Sequence, residues 1–170
     1  MTSKQWFIKY LDLKNDMVKW GEEIKWYPAY MKNRYDNWIK GLKWDWSISR
    51  QIPFGIPFPV WYCKKCDEVL LADKKQLPVD PLVDKPKVKQ CPKCKGKEFI
   101  PEKDIMNTWA TSALTPTIVK DLLKGTPAYD KIKNKPMDIR RSGHDIITFW
   151  NFNTIVKSHL HYGISPWKEL

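Results

Sequence analysis

Two cysteine pairs are the residues whose type and spacing most directly suggest chemistry. Cys63-Lys64-Lys65-Cys66 and Cys91-Pro92-Lys93-Cys94 account for every cysteine of the 170-residue chain, with 24 residues between the pairs. Each Cys-x-x-Cys turn offers two sulfurs from one tight loop, and two such turns can close a tetrahedral thiolate site for zinc. With all four ligands from protein, the ion would hold structure and would not catalyse. The stretch between the pairs is somewhat longer than the commonest spacing. Two disulfides or unligated thiols are the competing readings. Disulfides are disfavoured without a secretion signal, and a redox pair would need a βαβ context and would leave the second knuckle unexplained.

The surroundings of these cysteines differ from the rest. Residues 63–104 are lysine-rich and poor in large apolar side chains, as expected of an insert that needs a metal to be ordered. Across the chain, 30 Lys+Arg face 19 Asp+Glu, a net charge of +11. Residues 1–62, 63–104 and 105–170 carry +4, +3 and +4, so no segment owns the excess. A diffuse excess fits RNA contact and a solvated lysine-rich surface equally well. Apolar residues make up 42%, enough for one ordinary domain or a domain with a small insert. No apolar run approaches the roughly 18 residues of a membrane span, and Met1–Trp6 lacks a signal-peptide pattern. A cytoplasmic protein with no membrane partner is the expectation.

Apolar periodicity predicts a helix from about Leu11 to Trp20, ended by Gly21, and a second helix after Pro28 carrying Tyr35, Trp38, Ile39 and Leu42. Ser47–Tyr62, punctuated by Pro53, Gly55, Pro57 and Pro59, reads as extended chain with edge strands at most. A helix near Thr117–Lys124, a strand near Met137–Arg140 and a long helix from about Asp145 to Leu160 follow.

Several strings are too specific to be generic. Trp44-Asp45-Trp46-Ser47-Ile48-Ser49-Arg50-Gln51, followed by Gly55-Ile56-Pro57-Phe58-Pro59-Val60-Trp61-Tyr62-Cys63, closely resembles a segment of the class I aminoacyl-tRNA synthetases. The valyl enzymes of archaeal and eukaryotic style are the nearest match. Met106-Asn107-Thr108-Trp109-Ala110-Thr111-Ser112-Ala113-Leu114-Thr115-Pro116 resembles a second motif of that family. Arg140, Gly143-His144-Asp145-Ile146-Ile147 and Trp150 resemble a third, and Lys4-Gln5-Trp6-Phe7 is similar to the stretch after its editing domain.

The resemblance implies an α/β fold: the C-terminal half of a Rossmann-like class I synthetase catalytic domain with a zinc-ribbon insert. It divides the chain into a connective segment at 1–62, the zinc ribbon at 63–104 and the second catalytic half at 105–170. Valyl enzymes activate valine with ATP, accompanied by Mg2+, and transfer it to tRNA-Val. The implied partners are therefore valine, ATP, tRNA-Val and the missing synthetase segments, in cis or as a split partner chain. By the family's pattern Trp109, Ile146 and Trp150 would line the slot for the valine side chain, and Gly143 and Asp145 would meet the adenylate ribose. Cys63, Cys66, Cys91 and Cys94 would hold structural zinc.

From periodicity alone, Trp109, Ile146 and Trp150 are core residues, Asp145 is an acid at a helix N-terminus and Gly143 a turn glycine. Arg50 fits a phosphate contact or a structural salt bridge, and His144, His159 and His161 receive no role. Asn107 stands where the family usually has Asp, and Ile52-Pro53-Phe54-Gly55 replaces an aromatic pair before the glycine. The H-I-G-H and K-M-S-K-S motifs do not occur, so the chain alone is expected to be inactive. The alternatives are a non-catalytic zinc-ribbon RNA-binding module, or the isoleucyl or leucyl branch of the same class.

Overall fold

The computed structural model of the chain describes residues 4–170; Met1–Ser3, part of the opening stretch read above for a signal peptide, lie outside the described residues. β1 (Phe7–Ile8) leads through a 3-10 turn into α1 (Lys14–Glu22), and a second 3-10 turn after Pro28 leads into α2 (Lys32–Gly41). Short strands follow: β2 (Trp46–Ser47), β3 (Ser49–Arg50), β4 (Val60–Cys63), β5 (Val69–Leu71), β6 (Phe99–Pro101) and β7 (Ile105–Met106). Then come α3 (Thr108–Ser112), α4 (Thr115–Leu122), α5 (Pro127–Ile132), β8 (Met137–Ile139), α6 (Phe152–Tyr162) and β9 (Trp167–Glu169). Two compact units result: Met1–Ile48 with Thr108–Leu170, and Ser49–Asn107. The cysteine-bracketed stretch lies inside the second.

In the first unit β8 and β9 pair in parallel, Met137 opposite Trp167, with α6 in the connection between them. The other edge of β9 receives residues 25–27. Lys25 N–H donates to Lys168 O at 2.8 Å, Leu170 N–H to Lys25 O at 2.9 Å and Tyr27 N–H to Leu170 O at 2.7 Å. Beneath this ladder the apolar faces of α1, α2 and α6 meet. Met17, Tyr35, Ile39, Phe152, Ile155 and Val156 are all buried there together. Tyr35 reaches into this core because its hydroxyl donates to Met17 O at 2.8 Å, which removes the cost of burying it.

The second unit is built on a three-stranded antiparallel sheet in the order β5-β4-β6, with Trp61 opposite Leu70 and Pro101. β3 pairs antiparallel with β7. Ser47–Tyr62 therefore does more than supply edges, since β4 is a central strand. Pro57 and Pro59 precede Val60, the first paired residue of β4, so every ladder position of that strand keeps its N–H.

Two helical expectations are also corrected. Gly21 does not end a helix but lies within α1, where a Cβ would come 2.3 Å from Tyr35 Cε1. The glycine is there for close approach of α2. The helix expected from Asp145 to Leu160 begins as a 3-10 turn at His144–Ile146, passes through a π turn at Ile147–Asn151 and becomes α6 only at Phe152. The helix expected at Thr117–Lys124 is α4, displaced by two residues, and the strand at Met137–Arg140 is β8.

Gly21→Ala drives a methyl into the buried Tyr35 ring, and overpacking of this kind costs about 1–3 kcal/mol. Chemical denaturation should show that loss. Gly41→Ala, with nothing within 4 Å of its Cβ, should show none.

Candidate functional site

β4 ends at Cys63, so the sheet itself delivers the first sulfur of the four-cysteine cluster. The two knuckles are built alike. Asp67 N–H donates to Cys63 O at 2.8 Å and Lys95 N–H to Cys91 O at 3.0 Å. The residue after each second cysteine adopts a positive φ, +55° at Asp67 and +60° at Lys95. All four sulfurs lie within 4.8 Å of one another. Cys63 and Cys94 are 3.4 Å apart and Cys66 and Cys91 3.6 Å. Bonds of ~2.3 Å to one tetrahedral ion would put the sulfurs ~3.8 Å apart, whereas a disulfide needs ~2.05 Å. The thiols are free, and the disulfide reading is not met.

The surroundings also fit an ion. A Cβ on Gly96 would lie 3.2 Å from Cys63 Sγ and 3.3 Å from Cys94 Sγ, so the glycine leaves room for the sulfurs to converge. Burial raises the Cys63 thiol, but N–H donors of Lys65 and Cys66 and the neighbouring thiols bring it down to about 7. Cys66, despite the Glu68 N–H that favours its thiolate, is pushed up to about 12 by the competing sulfurs and by burial. One sulfur can lose its proton easily and the next only with difficulty. A divalent cation removes that conflict by accepting all four thiolates.

In the first unit, β8 leaves the parallel ladder at Arg140 and the chain turns through Ser142 and Gly143 into the 3-10 turn. A Cβ on Gly143 would come 2.3 Å from Asp145 Oδ1, so the carboxylate folds back over the glycine in a space no other residue leaves. Both residues are exposed. Gly143 also joins Ser142, Ile147, Asn151, Trp26 and Met31 around a cavity of about 270 Å³, and Asp145 is not among the residues lining it.

The π turn governs the aromatic residues. Widening the helix alters its carbonyl pattern, and two side chains from the next turn respond. Asn153 Nδ2 donates to Phe149 O at 2.6 Å and Thr154 Oγ1 to Trp150 O at 2.7 Å. Trp150 is 7% exposed, its indole N–H donating to Ser112 O at 3.1 Å. Its ring stacks on Trp167 with centroids 5.4 Å apart, and the Arg140 guanidinium lies 4.3 Å from its centroid. Trp109, on α3, is 36% exposed and stacks on Phe149 at 5.9 Å. Ile146 is half-buried against the same core that holds Trp150.

The candidate residues thus fall into three places. The four cysteines converge; Gly143 and Asp145 share one turn; Ile146 and Trp150 share one core, with Trp109 brought beside them through Phe149 and Ser112. Sequence reasoning missed Phe149, Ser112 and Trp167. It also missed Lys157, whose Nζ donates to Ala110 O, the residue after Trp109. Burial holds the Lys157 ammonium down to about 8. A single lysine seven residues after Trp150 on an apolar helix was the available signal.

A family model for tRNA synthetases of class I (I, L, M and V) matches residues 1–170. The chain is 52% identical over 167 residues to the valine–tRNA ligase of Thermoplasma volcanium, covering 98% of this chain and 20% of that protein. It is 50% identical over 168 residues to that of Picrophilus torridus, covering 99% and 21%. With the valine–tRNA ligase of Rickettsia prowazekii it shares 46% identity over 178 residues, 100% of this chain and 21% of that one. The chain spans about a fifth of the length of the curated relatives it matches. The solved ternary complex of Agrobacterium radiobacter K84 agnB2 LeuRS, tRNA and LeuAMS matches in fold. It is 24% identical with a TM-score of 0.51, over 75% of this chain and 19% of that one. No helix among the described residues is long and apolar enough to cross a membrane.

Two outcomes follow from this geometry. The purified chain should take up one equivalent of a thiophilic divalent ion, and Co2+ in its place should give thiolate charge-transfer absorption that Cys66→Ser and Cys94→Ser each abolish. Lys157 is protonated less readily when folded than when unfolded, where its ordinary value is about 10.4. The unfolded chain then binds the extra proton between about pH 8 and pH 10.4, so stability rises with pH across that window. Lys157→Met should flatten the rise in denaturation curves, whereas Lys120→Met should leave most of it.

Proposed function

The chain belongs to the tRNA synthetases of class I (I, L, M and V), and from that premise we propose that it is the part of a valine–tRNA ligase that shapes the amino-acid slot. The valyl assignment rests on identities of 52% and 50% to proteins of that name, each spread over nearly the whole chain. On this reading the parallel β8-α6-β9 unit belongs to the C-terminal half of a Rossmann-like catalytic domain. Ligands of such folds gather beyond the carboxyl ends of the strands, where the Gly143–Asp145 turn follows β8.

The observation that carries the proposal is the meeting of α3 with the π turn. Trp109 stacks on Phe149, and Trp150 donates its indole N–H to Ser112 O. These contacts join the two motifs whose residues would form the slot. Trp109 presents its exposed ring to the valine side chain, Ile146 supplies an aliphatic wall, and Trp150 closes the base from the core. A slot of indoles and isoleucine excludes larger side chains by overlap but rejects an isosteric hydroxyl poorly, and valyl enzymes facing threonine are the standard example of that limit. Asp145, held over Gly143, would accept hydrogen bonds from the ribose hydroxyls of the adenylate.

In the complete enzyme the valine carboxylate attacks the α-phosphate of ATP, giving valyl-adenylate and pyrophosphate, and the valyl group then passes to the 3′ end of tRNA-Val. Mg2+ bound with ATP would neutralise phosphate charge, and no residue of this chain is assigned to it. Zinc on Cys63, Cys66, Cys91 and Cys94 would order the second unit and take no part in the chemistry. The chain would act with the remaining synthetase segments, in one polypeptide or as a partner.

Valine-dependent ATP–pyrophosphate exchange tests this reading. Exchange should appear when the chain is combined with the remaining segments, and valine should support it better than isoleucine or leucine. Trp109→Ala should raise the KM for valine about tenfold, the cost of exposing part of one apolar side chain. Asp145→Asn should raise the KM for ATP by about the same factor. Exchange equally fast with leucine, or unchanged by both substitutions, overturns the assignment.

A further inference from the structure

Beyond the cysteines, the second unit carries a groove that the valine slot does not use. Its volume is about 560 Å³, within the ~300–1,000 Å³ typical of ligand clefts. Phe99, half-buried on β6, lies in its wall with the exposed Val83 and Val88. Lys85, Lys89 and Lys97 also line it. The groove is a built feature, because the loop that forms one side is fastened to the sheet. Trp61, 2% exposed, donates its indole N–H to Asp84 O at 3.2 Å. The same loop is braced internally by Asp80 N–H to Asp84 Oδ2 at 2.9 Å and Leu82 N–H to Asp80 Oδ1 at 3.0 Å.

The charge around the groove is unbalanced for a specific reason. Residues 63–104 carry eleven Lys+Arg and eight Asp+Glu, but several of those acids are already engaged. Glu98 pairs with Lys64 at 2.7 Å and Glu68 with Lys93 at 3.2 Å. Asp80 and Asp84, the latter the one carboxylate lining the groove, accept loop N–H groups. Lys85, Lys89 and Lys97 form no ion pair among the described residues. An apolar, aromatic-walled groove with three uncommitted ammonium groups offers what single-stranded nucleic acid requires. The phosphates find positive charge, and the bases find a π face and an apolar floor.

We propose that the groove between the 81–89 loop and β6 is a docking site for single-stranded RNA, with Lys85, Lys89 and Lys97 on the phosphates and Phe99 under a base. The proposal takes the RNA from the tRNA substrate of the preceding section, but its test needs no aminoacylation. The zinc-loaded chain is titrated with a fluorescein-labelled oligouridylate over a salt series, and with linear polyphosphate of equal charge. Each neutralised phosphate contributes about 0.7 to the salt slope for single strands. The triple variant Lys85→Ala/Lys89→Ala/Lys97→Ala should therefore bind RNA at least tenfold more weakly and lower the slope by about 2.

Phe99→Leu keeps an apolar side chain in the ribbon and removes the ring. With zinc content intact, it should weaken RNA binding about fivefold and leave polyphosphate binding unchanged. The proposal is overturned by unchanged RNA affinity in the triple variant. It is equally overturned by the same loss in a control variant of exposed lysines on the first unit, Lys9→Ala/Lys43→Ala/Lys131→Ala, or by polyphosphate binding as tightly as RNA. RNA binding as described together with no valine-dependent exchange would retain the groove and remove the proposed role in the valine slot. Exchange with no groove-dependent RNA binding would do the reverse.

Discussion

The Trp150 indole ties together four segments that are distant in sequence. Its ring stacks on Trp167 from β9, lies under Arg140 at the end of β8, and sends its N–H to Ser112 at the end of α3. The residue itself belongs to a π turn whose carbonyls are met by Asn153 and Thr154. Displacing the ring would expose a large apolar surface, orphan a buried N–H and loosen the register between α3 and the parallel ladder. The remaining contacts of the first unit follow from that placement. Phe149 is directed at Trp109, Phe152 at Tyr10 and Tyr35, and Lys157 at the carbonyl of Ala110.

The second unit answers a different problem. Its apolar cluster consists of Trp61, Leu70 and Val79 with Ala72 and Phe99 packed against it, little for a segment of this length. Four converging sulfurs could hold a metal ion, which would supply what that small core cannot. The knuckles achieve convergence with backbone means: positive φ after each second cysteine and a glycine where a side chain would meet the sulfurs. The chain geometry is thus the one that a four-thiolate metal site would require.

How far these features could be read beforehand depended on range. That Cys63, Cys66, Cys91 and Cys94 converge was legible because type and spacing suffice when two local turns each carry two sulfurs. β8 and α4 were legible because short-range periodicity decides them. Gly21 misled, because the sequence shows a helix-breaking residue and hides the Tyr35 ring that makes glycine necessary. β4 was demoted by nearby prolines that stop just before the pairing begins. The π turn had no local signature, since it is stabilised by Asn153 and Thr154 from the following turn. The proposed slot residues rest on resemblance to a family; periodicity made Trp109, Ile146 and Trp150 merely core, and by burial two of them are largely that.

The contacts that make Trp150 a core residue are also what would make it a useful wall. A wall that yields by a few tenths of an ångström discriminates little, whereas one extra methylene in an apolar pocket is worth only about 1–3 kcal/mol. A cation–π contact contributes about 0.5–2 kcal/mol, an aromatic pair about 0.5–1.5 and a hydrogen bond about 1. Arg140, Trp167 and Ser112 together would hold the ring at least as firmly as the discrimination that the proposed slot would ask of it. The same commitment would set the limit of the proposed slot. With its N–H spent on Ser112, the indole has no donor left for a substrate hydroxyl, and neither does Ile146. Walls of this kind would exclude by size and not by polarity. If Ile146 and Trp150 line the proposed valine slot, rejection of a threonine-like side chain would come neither from Ile146 nor from the Trp150 indole N–H.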